Sequence, residues 1–196
     1  MSDAKSRIID AACQLLEQQG FHATSINEIV DRSQSPKGSL YYYFPGGKDQ
    51  IAAEAIKAAG KKTADSIREN LKDITDLAVG INDFIEMVAE QMEKTEYSAG
   101  SPLSVVAVET STIDGPVNAA CKTAYGEMMG AFAGVLSSHG LEAEEGALAA
   151  EQIVLTIEGG ILLGRTFHSR DPLLRAARQL SRAISEKIKQ KNEVKK

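Results

Sequence analysis

Apolar side chains recur every three or four residues in each strongly patterned segment of this 196-residue chain. That spacing places them on one face of a helix, and no segment shows the alternation typical of a strand. Glycine and proline separate the segments, as at Gly20, Pro45-Gly46-Gly47 and His139-Gly140. The pattern predicts an all-α fold of about nine helices. The clearest stripe comprises Leu77, Ile81, Phe84, Ile85, Val88 and Met92.

Charge is divided unevenly along the chain, whose formal net charge is −5. Residues 1–62 carry eight Lys or Arg against seven Asp or Glu, whereas residues 63–196 carry fourteen against twenty. The net charge argues against indiscriminate binding to nucleic acid, and the acidity belongs to the larger C-terminal part. The N-terminal part is therefore the candidate for contact with a phosphate backbone.

Cysteine usage and hydropathy indicate a cytoplasmic protein. Cys13 and Cys121 lie in separate predicted helices and suggest neither a disulfide nor a metal site. The first residues lack the pattern of a secretory signal. The apolar stretch from Ile153 to Phe167 contains Glu158 and is shorter than a membrane span. We expect a buried helix there and no membrane partner.

Enzymatic motifs are not found in the sequence. It contains no G-x-S-x-G elbow, no H-E-x-x-H pair and no phosphate-binding glycine loop. The three histidines, His22, His139 and His168, are scattered. We therefore predict no catalytic residue, no metal ligand and no cofactor.

Two short helices follow the first helix, which is predicted from about residue 4 to residue 19. Ser25 and Glu28 form the Ser-x-x-Glu capping box of the second helix. Ser35 is predicted to cap the third helix, with Pro36 at its first position. Such a pair of short helices is typical of a helix-turn-helix, in which the later helix enters the major groove of DNA.

The third predicted helix has a surface suited to DNA. Lys37 is its one long donor and would bind either a guanine edge or a phosphate. Gly38 and Ser39 permit close approach, and tyrosine hydroxyls can bind phosphates. Leu40 and Phe44 fall on the opposite side and are predicted to enter the core.

Residues 3 to about 63 resemble the TetR family of bacterial transcriptional repressors. The resemblance is carried in order by Gly20-Phe21, Thr24-Ser25-Ile26-Asn27-Glu28-Ile29, the run from Pro36 to Phe44, and Lys48. In the C-terminal part, Gly100-Ser101-Pro102-Leu103, Val108-Glu109-Thr110-Ser111 and Ile157-Glu158-Gly159-Gly160-Ile161 resemble the LmrA/YxaF-type branch. That branch includes repressors of antibiotic-resistance and flavonoid-degradation genes. The turn Pro45-Gly46-Gly47 is one residue longer than usual, which would shift Lys48 slightly.

This resemblance implies a helix-turn-helix DNA-binding domain at residues 3–63 and a ligand-sensing and dimerisation domain at residues 64–196. It implies phosphate contacts by Tyr41 and Tyr42, with Tyr43 divided between core and contact. For Thr24 and Ser25, helix capping alone is the alternative. The predicted DNA contacts are Thr24, Ser25, Ser35, Lys37, Gly38, Ser39, Tyr41, Tyr42, Tyr43 and Lys48.

Helix-turn-helix modules usually read two half-sites as dimers. The predicted helices 143–169 and 172–190 offer a dimer surface, because the first is apolar on nearly every face. Gly159, Gly160 and Gly164 would allow close helix approach. The alternative is a wholly intramolecular core.

A sensor also needs a pocket, for which methionine and aromatic side chains are suitable. The predicted effector-binding residues are Phe84, Val88, Met92, Val106, Thr110, Tyr125, Met128, Met129 and Phe132. Ordinary core packing is the alternative for each. Glu109 and Glu158 are charges in apolar segments and need a partner, which could be Arg165, a helix terminus or a ligand hydroxyl.

Together these features predict a dimeric, ligand-responsive transcriptional repressor. It would bind a palindromic operator in double-stranded DNA and be released by a small hydrophobic or aromatic effector. The alternative is a DNA-binding regulator of the same fold without a small-molecule inducer, which is controlled by a protein partner or acts as an activator.

Overall fold

The computed structural model describes residues 4–98, 100–112 and 114–194, with side chains as far as residue 188. These residues form nine helices and no strand, which confirms the predicted all-α fold. The helices are α1 (Ala4–Ala23), α2 (Ile26–Ser33), α3 (Lys37–Tyr43), α4 (Gly47–Leu71), α5 (Leu77–Lys94), α6 (Pro102–Thr110), α7 (Pro116–Ser138), α8 (Ala143–Phe167) and α9 (Asp171–Val194).

Local signals act at the ends of the first two helices, although α1 continues to Ala23, beyond the end predicted at about residue 19. Gly20 leaves helical geometry at φ 78° and ψ −174°, and a further turn follows it within α1. The capping box of α2 is present, since Glu28 N donates to Ser25 Oγ at 3.2 Å and Ser25 N donates to Glu28 Oε2 at 2.8 Å. The hydrogen bonding with Ser25, followed by that from Gln19, lowers the pKa of the Glu28 carboxyl.

The predicted cap of the third helix was wrong. Pro36, at φ −57° and ψ 139°, is the N-cap of α3, and no side chain caps it. Because Pro36 is extended, Ser35 lies two residues before the first helical residue and faces inward. Its hydroxyl donates to Ser33 O at 3.3 Å, and Arg7 Nη2 lies 3.5 Å from the same hydroxyl.

The chain divides into two compact units. The first combines residues up to Lys62 with Ser101–Gly126, and the second combines Thr63–Gly100 with Glu127 onward. In the first unit, α1 packs against α2, α3 and α6. Leu40 and Phe44 are fully buried there, as predicted. The predicted limits of the DNA-binding domain, 3–63, and of the sensing domain, 64–196, concern function. This division by packing does not test them, so they stay a prediction.

In the second unit, α9 packs against both α5 and α8. Two of the glycines predicted to permit close helix approach do so within the chain. A Cβ on Gly160 would lie 3.0 Å from Leu173 Cβ, and a Cβ on Gly164 would lie 2.5 Å from Met92 Cε. The position of Gly159 is open, with nothing within 4 Å.

Helix α8 lies within the predicted range 143–169 and is buried along one face only. It has 25 residues, and its length and composition alone would allow it to cross a membrane. The apolar stretch 153–167, taken by itself, was predicted to be too short for that. Within the fold, 44% of its most apolar window is buried. Its buried face packs on the neighbouring helices, while its other face exposes large apolar side chains. These are Leu148, Leu155, Leu162, Leu163 and Phe167.

Candidate nucleic-acid interface

The outer face of α3 combines one lysine, one glycine and two tyrosines. Lys37, Gly38, Tyr41 and Tyr42 are exposed, and Tyr42 keeps 80% of its surface accessible. Nothing lies within 4 Å of a Cβ built on Gly38, so packing inside the chain does not require glycine there. The missing side chain instead keeps the outer surface shallow. An α-helix with such a face can lie close to a DNA groove.

Lys37 is linked to the preceding helix by a hydrogen bond. Its Nζ donates to Asn27 Oδ1 at 3.1 Å, and both residues are exposed. Asn27 was not among the predicted contacts, although it lies in the Thr24–Ile29 segment that resembles the TetR family. A side-chain amide beside a lysine is able to read base edges, because asparagine pairs with adenine and lysine with guanine. The juxtaposition only becomes visible once α2 and α3 are packed together.

Tyrosines on this face differ in exposure. Tyr43 is half-buried and its ring meets the edge of Tyr42 at 5.1 Å between centroids. Whether Tyr43 is divided between core and DNA contact stays a prediction. Ser39 is also half-buried.

Three of the predicted DNA contacts also form hydrogen bonds within the chain through their hydroxyls. Thr24 is 2% exposed and donates from Oγ1 to Gly20 O at 2.6 Å. Ser35 is 3% exposed and is held in the turn between α2 and α3. Ser25 is exposed, but its hydroxyl accepts the Glu28 amide. The Thr24 and Ser35 side chains are therefore buried and do not belong to the exposed face.

Lys48 lies in the first turn of α4 and is half-buried. Its Nζ is 4.4 Å from the centroid of the Phe21 ring and donates to His22 O at 3.4 Å. A cation over an aromatic face is attracted by the ring quadrupole. The ammonium of Lys48 is thus held against the segment that precedes α2.

Comparisons with known proteins decide the family. Residues 8–55 match the family of bacterial regulatory proteins called tetR, and residues 78–179 match the C-terminal domain of LmrA/YxaF-like transcriptional regulators. The HTH-type transcriptional regulator YxaF of Bacillus subtilis is 35% identical over 185 residues, which cover 94% of this chain and 97% of the relative. The chain belongs to the TetR family. The HTH-type transcriptional regulator LmrA of the same organism is 37% identical over 172 residues, covering 88% of this chain and 92% of the relative.

A solved structure shares the fold of this TetR-family regulator. The TetR transcriptional regulator from Legionella pneumophila superposes with a TM-score of 0.80 at 20% identity, covering 93% of this chain and 98% of its own. Family membership confirms the predicted resemblance, including the LmrA/YxaF-type branch. It also confirms that the protein is a transcriptional regulator with a helix-turn-helix, rather than an enzyme.

The predicted effector-binding residues of this TetR-family regulator divide between the two units. Val106, Thr110 and Tyr125 belong to the first unit and the other six to the second. In the second unit, the rings of Phe84 and Phe132 meet edge to face with centroids 5.7 Å apart. Burial fits both core packing and a pocket, so the effector role stays a prediction. The buried members are Phe84, Met92, Val106, Thr110, Met128 and Phe132, and the half-buried members are Val88, Tyr125 and Met129.

Glu109 of α6 contacts one of its predicted partners, the terminus of a helical turn. Its Oε2 accepts hydrogen bonds from the backbone amides of Phe21 and His22, the second at 3.3 Å. Arg165, another predicted partner of the two glutamates, donates from Nη2 to Ser98 O at 3.2 Å. Among the residues that the structure describes, no cluster of three or more His, Cys, Asp or Glu is arranged to hold a metal.

Proposed function

We propose that this TetR-family regulator is a dimeric repressor that binds a palindromic operator in double-stranded DNA and is released by a small hydrophobic or aromatic effector. The exposed face of α3 is the observation that carries the proposal. Lys37 and the neighbouring Asn27 would contact base edges, while Tyr41, Tyr42 and Lys48 would bind phosphates. Gly38 and Ser39 would allow the helix to approach closely. The half-buried Tyr43 and the exposed Ser25 would lie at the edge of the contact.

Dimerisation would follow from the exposed face of α8. Leu148, Leu155 and Leu162 are 58%, 65% and 66% exposed and lie seven residues apart, which places them along one stripe. A contiguous exposed apolar stripe of this kind usually marks an interface. We propose that the helices predicted at 143–169 and 172–190, observed as α8 and α9, pair with those of a second copy. Two recognition helices would then meet two half-sites about one helical turn apart, or a multiple of that distance.

The effector would act by selecting between two conformers. In one conformer the recognition helices match the operator spacing, and in the other α4 moves them out of register. Release requires that the effector bind the second conformer more tightly, because equal affinities shift no equilibrium. The nine effector-binding residues predicted from the sequence are the candidates for this contact. Such a repressor would act in the cytoplasm, where bacterial DNA is located.

A gel-shift assay on DNA flanking the protein's own gene tests the proposal. We expect binding to that duplex in preference to a scrambled duplex of equal length, and a steep loss of affinity with salt. The assay is then repeated with planar aromatic compounds and antibiotics, one of which should release the DNA. Equal affinity with and without every compound would favour the alternative regulator without a small-molecule inducer, and absence of specific binding would contradict the proposal.

A further inference from the structure

Two charged groups of opposite sign hold the Phe21–His22 segment from different helices. The Glu109 carboxylate, on α6, accepts the amides of both residues. The Lys48 ammonium, on α4, lies over the Phe21 ring and donates to the His22 carbonyl. All four residues belong to the first unit. The backbone of this segment therefore connects Glu109 with Lys48.

The chain geometry explains why a carboxylate fits this place. At Gly20 the backbone leaves helical geometry, so the amides that follow it lie at the start of a new turn. An anion beside such amides forms charge-assisted hydrogen bonds and meets the positive end of the turn's dipole. Glu109 is half-buried, which limits competition from water.

We propose that Glu109 is a positioning residue for DNA binding. By fixing Phe21 and His22, it keeps the Lys48 ammonium at the place from which it meets a DNA phosphate. Lysine has a long flexible stem, and a donor that is held in place loses less conformational entropy on binding. The inference rests on the operator binding proposed above.

The sign of the effect separates positioning from simple charge. Removing a carboxylate makes the protein less negative, which by itself favours binding to DNA. Loss of positioning has the opposite effect. Glu109→Gln should therefore weaken binding by about threefold to tenfold, whereas Glu127→Gln, at an exposed position, reports the effect of charge alone.

A measurement without DNA tests the positioning directly. In lysine-labelled protein, the ring current of Phe21 should displace the NMR signal of the Lys48 side-chain methylene next to the ammonium, and Lys48→Arg identifies that signal. In Glu109→Gln and Glu109→Ala the signal should move toward those of exposed lysines. Thermal unfolding of each variant verifies that it is folded, with Val108→Ala as a control on the exposed side of α6. An unchanged Lys48 signal in a folded Glu109 variant would overturn the inference.

A double-mutant cycle tests the consequence for binding. Lys48→Ala alone should weaken binding to the flanking duplex by about tenfold and reduce the magnitude of the salt slope by roughly 0.9. In the Glu109→Gln background, Lys48→Ala should reduce the affinity for this duplex much less, because Lys48 has already lost its position. If the fold-losses of affinity caused by Glu109→Gln and Lys48→Ala simply multiplied in the double variant, the inference would be overturned. If the unaltered protein bound no DNA, the proposed function would fail, and the NMR comparison would still decide whether Glu109 positions Lys48.

Discussion

The Glu109 carboxylate lies so close to the backbone of Gly20 that a Cβ atom there would overlap it unless Glu109 moved. A Cβ atom on residue 20 would be 2.7 Å from Oε1 and 2.8 Å from Oε2 of Glu109. Gly20 also has φ 78° and ψ −174°, a conformation that residues with a side chain rarely adopt. The glycine that ends the regular part of α1 thus also makes room for the contact from α6.

We expect Gly20→Ala to lower the free energy of unfolding by about 1–3 kcal/mol, because it adds backbone strain and displaces Glu109. Chemical denaturation monitored by circular dichroism measures this change. Gly38→Ala is the matched control, since its Cβ would meet nothing within 4 Å. The control should keep or slightly raise stability while weakening DNA binding. Equal stability of the Gly20→Ala and Gly38→Ala proteins would contradict the prediction.

Lys37→Ala should relax sequence discrimination. Loss of a base contact costs about 1–3 kcal/mol at the base pair concerned and little elsewhere. Lys48→Ala, by contrast, should weaken binding to every duplex alike. Competition between the flanking duplex and single-base variants distinguishes these outcomes. A Lys37→Ala protein that keeps the full preference among base variants would show that Lys37 binds only phosphate.

Leu155→Glu combined with Leu162→Glu should convert the proposed dimer to a monomer. Each leucine that becomes buried at an interface contributes on the order of 1.5–3 kcal/mol, and a buried unpaired carboxylate is strongly unfavourable. Sedimentation velocity at micromolar concentration measures the state. Val108→Glu serves as control, because it places the same charge at a 75% exposed position on α6. A double variant that still sediments as a dimer would exclude this stripe as the interface.

Cys13 should be an unreactive thiol at neutral pH. Burial, followed by the nearby charges of Asp10 and Glu17, raises its pKa from 9.0 to about 11. Its Sγ also donates to Ala55 O at 3.2 Å. The thiolate is the reactive form, so alkylation by iodoacetamide at pH 7.5 should be slow until guanidinium unfolds the chain. Mass spectrometry of peptides follows the modification.

The same shift has a consequence for stability. Because the pKa of Cys13 is higher in the folded state than in the unfolded state, the folded state binds the thiol proton more tightly. The resulting contribution to the free energy of unfolding is complete below pH 9. That contribution should disappear as the pH rises from 9 to about 11. A Cys13→Ala variant should lack this component of the alkaline loss, and identical alkaline profiles would contradict the assignment.

Much of the fold could be predicted because its signals are local. The apolar stripe of α5 and the capping box of Ser25 and Glu28 depend on residues three or four apart, so both can be predicted from the sequence. The motif around α3 likewise predicted that Lys37, Tyr41 and Tyr42 lie on the outer face of a short helix. For the opposite reason, Ser35 does not cap α3 and the Thr24 side chain is buried. Their hydroxyls are directed by the turn geometry at Pro36 and Gly20, which outweighs the general tendency of such residues to cap helices.

The sequence by itself determined an all-helical chain, the helix-turn-helix and membership of the TetR family, because periodicity, caps and ordered motifs are properties of neighbouring residues. Only the tertiary structure decided which partner Glu109 takes, since the Phe21 amide lies 88 positions away in sequence. Packing also decided that Lys37 meets Asn27 and that one face of α8 stays exposed. Such contacts arise when helices pack against one another. Which helices pack together depends on how all buried faces fit, rather than on any one segment.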